Sequence, residues 1–276
     1  MLIGISGKIG SGKDTIGNII QYLTLHKGAE LNYQPNGEEF KRLMKNFVEI
    51  GYMPVPANLE SGWEIKKFAG KLKEIVALLT GCSLDDLEDQ EFKSLQLSEE
   101  WWTYKHLYTG TSLEPCLKYS KRPISDLSPE DFKSLDNTGR ITKPTYRLLL
   151  QLIGTEAMRE VVGENVWVNA LFSEYKSKEW EEQGVYPESK WIITDMRFPN
   201  ELKAVEERGG ITIRVNRNWK FVEGLKTVNN NIPLNLQHPS ETALDNASFR
   251  YIIENNGTIE QLIENVRTLL IHEQII

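Results

Sequence analysis

Residues 2–15 read LIGISGKIGSGKDT. An apolar run, Leu2 to Ile5, leads straight into Gly7-Lys8-Ile9-Gly10-Ser11-Gly12-Lys13, which satisfies the spacing G-x-x-x-x-G-K. Glycines let the backbone curl until successive N–H groups point at one cluster of phosphate oxygens. The first turn of the following helix adds partial positive charge at the same place. Lys13 can then reach the β- and γ-phosphates of a nucleotide. The plainer alternative is a tight strand-to-helix turn with no ligand, but the spacing, the flanks and the N-terminal placement all favour a phosphate loop. Gly10, Ser11, Gly12, Lys13, Asp14 and Thr15 are therefore the candidate phosphate contacts. One departure stands out: Asp14 follows the lysine where a hydroxyl residue is usual, and the hydroxyl comes one later, at Thr15. Thr15 is left to meet a phosphate or a magnesium-bound water. Asp14 either orients those waters or favours the helix N-terminus electrostatically.

Working outward, four more short apolar segments read as buried parallel strands: Glu64–Phe68, Lys190–Thr194, Ile211–Val215 and Arg250–Glu254, alongside Leu2–Ser6. Helical spacing lies between and after them. Ile16, Ile19, Ile20 and Leu23 make one face; Leu72, Ile75, Val76 and Leu79 make another. Tyr146, Leu149, Leu150, Ile153, Ala157 and Val161 form a long stripe. The last helix opens with Thr258 and Gln261, a capping-box pair. Strands alternating with helices predict an α/β three-layer fold of the P-loop NTPase kind. Its five-stranded parallel sheet is flanked by helices, with helical and irregular insertions. A single domain is expected over 1–276. Residues 82–143 and 216–238 are too long and too polar for ordinary connections. The part at 93–143 reads as an insertion, and 216–238 as a lid.

The composition excludes several classes. Of 276 residues, 40% are hydrophobic and 26% charged, as in ordinary globular chains. No apolar stretch approaches membrane-spanning length, and no basic, apolar leader opens the chain. Cys82 and Cys116 have no metal-type spacing, which suits reduced thiols in a cytoplasmic protein. With 32 basic and 39 acidic residues the net charge is −7, a poor basis for gripping long nucleic acid. A small nucleotide needs only a few local cations and aligned amides. His26, His106 and His272 have no partners at ligand spacing, so no zinc site is expected.

Three further stretches carry chemistry. In Lys190–Glu201 (KWIITDMRFPNE) a strand runs into a loop and a helix. Asp195 falls at the strand's carboxyl end, the edge where open parallel sheets bind ligands. An acid there can order an attacking oxygen or a magnesium-bound water, and Arg197 can offer a planar fork to a phosphate. The alternative is a local Asp195–Arg197 ion pair. In 146–156 (YRLLLQLIGTE), Arg147 and Gln151 share one helix edge. Gly154 permits close approach of a base or sugar and Thr155 can hydrogen-bond to it, unless the helix merely carries an exposed arginine. Trp167 is either a stacking platform or core. Lys71 and Lys73 face a phosphate or simply water.

Taken together, GKIGSGKDT, RLLLQLIGTE, WVNAL, TDMRFPNE, HPSETALD and IENNGTIEQL resemble the deoxynucleoside monophosphate kinases of tailed phages. The likeness covers most of 1–25, 62–92 and 144–270. It implies transfer of the γ-phosphoryl group of ATP, with Mg²⁺, to a deoxynucleoside 5′-monophosphate. It further implies that Gly10 to Thr15 hold the donor, and that Arg147, Gly154, Thr155, Trp167, Asp195, Arg197 and Glu201 hold the acceptor. Lys73 matches a position near the acceptor phosphate. Lys13, Arg147, Asp195 and Arg197 are the candidate catalytic residues, and Arg217 a lid arginine. The GKDT departure recurs in this family, and related enzymes suggest a homodimer. Two competing readings remain: a kinase with a hydroxyl acceptor, such as one like dephospho-coenzyme A kinase, and a nucleotide-binding regulatory protein without transfer activity.

Overall fold

The computed structural model describes residues 1–26, 60–107, 119–137, 141–177, 184, 188–218 and 239–276. Most of the expected lid (219–238) and part of the expected insertion (108–118 and 138–140), with Cys116, lie outside them.

The chain opens with β1 (Leu2–Gly7), every residue of which is buried, as the apolar run requires. The loop 8–12 leads to α1 (Lys13–Leu23). A two-residue pair, β2 (Leu25–His26) with β3 (Glu60–Ser61), precedes β4 (Trp63–Lys66) and α2 (Gly70–Thr80). Next come β5 (Thr103–Leu107), β6 (Tyr119–Pro123), α3 (Pro129–Asn137) and β7 (Ile141–Thr142). They are followed by α4 (Tyr146–Gln151), a π-helix over Leu152–Val162 and α5 (Val166–Phe172). The last part holds β8 (Lys190–Met196), α6 (Pro199–Glu206), β9 (Ile211–Asn216), α7 (Pro239–Thr242), β10 (Tyr251–Glu254) and α8 (Ile259–His272).

These elements fall into two compact units, 1–70 with 167–276, and 71–166. The first holds a five-stranded sheet of order β10-β9-β1-β8-β4, with all four neighbouring pairs parallel. This is the expected α/β architecture. The alternation of strand side chains sorts β1 between two layers. Ile3 and Ile5 join one buried cluster with Ile16, Ile19 and Ile20 of α1 and Leu262, Ile263, Val266 and Leu269 of α8. On the opposite face Val205 of α6 lies over Gly4. Burying each of these large aliphatic side chains contributes about 1.5–3 kcal/mol. The expected capping box forms: Thr258 accepts from the Gln261 amide at 3.4 Å, and Gln261 accepts from the Thr258 amide at 3.0 Å. Strand β4 stops at Lys66, short of the expected Phe68, because the next amides leave the ladder for a carboxylate described below.

The second unit adds strands to the expected helical and irregular insertion. Strands β6-β5-β7 form an antiparallel sheet within it. Their residues are short polar runs without a continuous apolar face, so periodicity gives little sign of them. The long stripe after Pro144 is helical as expected, but from Leu152 onward it winds as a π-helix. Among the described residues no helix is long and apolar enough to cross a membrane.

Candidate active site

The site in the first unit starts where β1 ends. Gly12 sits at φ +97°, a left-handed conformation that other residues adopt only with strain, and α1 begins at the next residue. The loop carbonyls are engaged one by one. Lys13 Nζ donates to Gly7 O at 2.7 Å and Lys8 O at 2.8 Å. Arg217 Nη1 donates to Gly10 O at 3.4 Å, and Asn255 Nδ2 to Ser11 O at 2.8 Å. Ser11 Oγ is buried and has no hydrogen-bond partner among the described residues. A buried orphan hydroxyl is costly in a finished core. Beside a buried lysine, in a loop where the carbonyls of Lys8, Gly10, Ser11 and Gly12 are taken, it fits an oxygen-rich anion.

Lys13 is only 8% exposed. Burial, reinforced by the charges of Arg197 and Arg214, lowers its pKa from 10.5 to about 7, against the opposing pull of Asp14 and Asp195. Crowded cations of this kind are what a polyphosphate relieves. Although the Asp14 side chain is 65% exposed, its carboxylate is tethered. Thr194 at the end of β8 donates to Oδ1 at 2.6 Å, and Lys67 Nζ lies 3.4 Å away. Partial burial pushes the Asp14 carboxyl up, but Lys67, the Thr194 hydroxyl and Lys13 outweigh it and hold the pKa below the ordinary value. Asp14 is thus an ionised link between the start of α1 and the carboxyl edge of the sheet. Among the described residues no group of three or more His, Cys, Asp or Glu side chains could cage a metal. A carboxylate and hydroxyls beside a glycine loop instead suit magnesium arriving with a nucleotide, which takes few protein ligands.

Asp195 and Arg197 do not form the local ion pair weighed above. Asp195 Oδ1 accepts from Phe68 N at 2.8 Å and Oδ2 from Ala69 N at 2.9 Å, so it holds the turn that carries Lys67 toward Asp14. The guanidinium of Arg197 pairs with Glu241 and also donates to Ser240 O at 3.2 Å. Glu201 is buried and caps α6: its Oε2 accepts from Arg197 N at 2.7 Å and Phe198 N at 3.0 Å. Trp167, on α5, is 4% exposed, so stacking on a base would require its packing to open.

The remaining candidates lie in the second unit. Thr145 caps α4 by accepting from Leu148 N at 3.1 Å, and one turn of helix then presents Arg147, whose Nη2 donates to Gln90 Oε1 at 2.8 Å. Lys73 on α2 pairs with Glu88 at 2.5 Å. Two residues apart, Glu88 and Gln90 thereby bring Lys73 and Arg147 to one segment. A Cβ at Gly154 would sit 2.7 Å from Leu72 Cδ2, so a larger residue there would displace the end of that side chain. Thr155 is half-buried on the same π-helix.

Sequence reasoning gave no role to Thr194, Arg214, Glu241, Asp245 or Asn255. Glu241 Oε2 accepts from Ile9 N at 2.8 Å. Asp245 pairs with Lys8 at 2.9 Å and with Arg214 at 2.8 Å, while Arg214 Nη1 donates to Ser6 Oγ at 3.0 Å. Glu241 and Asp245, spaced i, i+4 after Pro239, were the available signal.

With this geometry in place, comparison with known proteins gives two findings. The model of the deoxynucleotide monophosphate kinase family matches residues 114–266, more than half of the chain. The chain is also 20% identical over 260 residues to the deoxynucleoside-5′-monophosphate kinase of Escherichia phage T5, a match spanning 88% of this chain and 85% of that protein.

Proposed function

The chain belongs to the deoxynucleotide monophosphate kinase family, and on that premise we propose that it converts ATP and a deoxynucleoside 5′-monophosphate into ADP and the deoxynucleoside diphosphate. A non-bridging oxygen of the acceptor phosphate attacks the γ-phosphorus. The bond from that phosphorus to the β–γ bridging oxygen breaks, and the electron pair leaves with ADP. Such a reaction needs in-line positioning and charge cancellation more than covalent chemistry.

The observation that most supports this reading is that buried Lys13, at the start of α1, and Arg197, just after β8, both follow the carboxyl ends of neighbouring parallel strands. Two anions must meet head to head in this reaction, and two cations at one sheet edge suit that need. We assign Gly10 to Thr15 to the donor phosphates, with Lys13 on the β/γ oxygens. Arg197 takes the acceptor phosphate through its remaining guanidinium N–H groups, with Nη1 held by Glu241 and Ser240. Asp195 holds the 67–69 turn and, through it, Lys67. Magnesium bound with the nucleotide would add charge neutralisation, and Asp14, Thr15 and Thr194 are the residues that would hold it, directly or through water.

Arg147, Lys73, Gly154 and Thr155 are assigned to the acceptor on the resemblance alone, as are Trp167 and Glu201. In this reading Arg217, whose guanidinium donates to Gly10 O, helps to keep water from the donor phosphates. The phage origin of the T5 relative suggests a role in deoxynucleotide supply for phage DNA synthesis in the host cytoplasm. Incubation of the purified protein with ATP, Mg²⁺ and each deoxynucleoside monophosphate should release ADP with matching diphosphate. Failure with every deoxy- and ribonucleoside monophosphate would overturn the reading.

A further inference from the structure

The Glu241 side chain is 7% exposed, and its two carboxylate oxygens serve different partners. One pairs with Arg197, which follows β8; the other accepts the backbone N–H of Ile9, at the crest of the phosphate loop. One turn of chain later Asp245 does the same for a different pair. Its Oδ2 takes Lys8 Nζ and its Oδ1 takes Arg214 Nη2. Arg214 in turn holds Ser6 Oγ, the buried hydroxyl on β1 just before the loop. Thus Ser6, Lys8 and Ile9 are each fastened, directly or through Arg214, to a single five-residue span that contributes nothing to the sheet.

We infer that Glu241 and Asp245 are positioning residues: Glu241 sets both the crest of the phosphate loop and the guanidinium of Arg197, whereas Asp245 sets the loop alone. The inference rests on the kinase reading for Arg197's acceptor role, but not for the loop. A loop whose amides must converge on one set of oxygens tolerates little drift, and a displacement near 1 Å is enough to weaken such a site severely. A carboxylate suits the crest because it can accept from Ile9 and from Arg197 at the same time. A carboxamide of equal size keeps one acceptor and turns an NH₂ toward the other donor.

The asymmetry supplies a test that a purely structural role would not satisfy. Bind inorganic triphosphate to the full-length wild type, Glu241→Gln and Asp245→Asn by calorimetry, and measure KM for the deoxynucleoside monophosphate on the same proteins. Glu241→Gln should weaken triphosphate about tenfold and raise the monophosphate KM by a similar factor, the loss expected when a hydrogen bond to a charged group is removed. Asp245→Asn should weaken triphosphate about threefold, as for a more exposed ion pair, and leave the monophosphate KM within about twofold. Equal patterns in the two variants, or unchanged triphosphate affinity in Glu241→Gln, would overturn the inference. If Glu241→Gln does not fold, Asp245→Asn decides: triphosphate affinity equal to wild type overturns it. If the wild type phosphorylates no monophosphate, the kinase reading fails, and triphosphate binding alone upholds or removes the clamp.

Discussion

Thr194 donates a 2.6 Å hydrogen bond to Asp14, joining the end of strand β8 to the first turn of the helix that follows the glycine loop. The unusual GKDT order acquires a physical purpose from that bond. The acid after the lysine is neither a spectator nor merely a helix-end charge; it is the contact through which Lys67 and Thr194 fix the start of α1.

Thr194→Val keeps the shape and removes the donor. Because the Asp14 side chain is largely exposed, the cost should fall at the lower end for a hydrogen bond to a charged group, about 1.5 kcal/mol. Steady-state kinetics should show kcat/KM for ATP reduced about tenfold, the equivalent of that energy. Urea denaturation should show a smaller loss of stability. An unchanged kcat/KM would dismiss the tether.

Lys13 gives the chain a pH signature. Its folded pKa, about 7, lies below its unfolded value of 10.5. Between the two the unfolded chain holds a proton that the folded chain has released, so stability rises with pH across that window. The benefit is complete above about 10.5 and lost as pH falls toward 7. Relative to Lys13→Met, the wild type should gain at most about 1.4 kcal/mol per pH unit there. A triphosphate restores the charge, so its binding at pH 8.5 should take up close to one proton. Calorimetry in buffers of different ionisation heat reads this directly; zero uptake would contradict the buried neutral lysine.

Asp195→Asn keeps one acceptor oxygen and turns an NH₂ toward Phe68 N or Ala69 N. One of these two amides then loses its partner, at about 1–3 kcal/mol. Chemical denaturation should show that loss, and kcat should fall as Lys67 drifts from Asp14. A stable variant of wild-type kcat would remove Asp195 from the account.

Arg147→Lys retains the charge but not the planar fork that pairs with two phosphate oxygens. The KM for the monophosphate should rise about tenfold or more, while that for ATP stays within about twofold. Equal increases in both would place Arg147 elsewhere than on the acceptor.

The fold was largely legible because its signals are local. Five apolar runs, a glycine loop and a Thr258–Gln261 cap predict the sheet, its parallel sense and the last helix from neighbouring residues alone. The sheet β6-β5-β7 was not, since its polar strands announce no buried face. For the candidate site, the glycine loop and the place of Asp195 and Arg197 at a strand end were readable from position. What they touch was not. Glu241 lies 44 residues from Arg197 and Thr194 lies 180 from Asp14. Pairings across such separations are products of the packed sheet rather than of any local pattern. Gly154 shows the converse: its bareness was legible, but that Leu72 Cδ2 lies against it was not.

The central claim is transfer between two nucleotides, and following the label tests it most directly. With ATP carrying radioactive phosphorus at the γ position and a panel of deoxynucleoside monophosphates, the account predicts label in the β-phosphate of the product diphosphate, one for each ADP formed, and none with Lys13→Met. Label released only as inorganic phosphate, or retained in ATP with every acceptor, would contradict it.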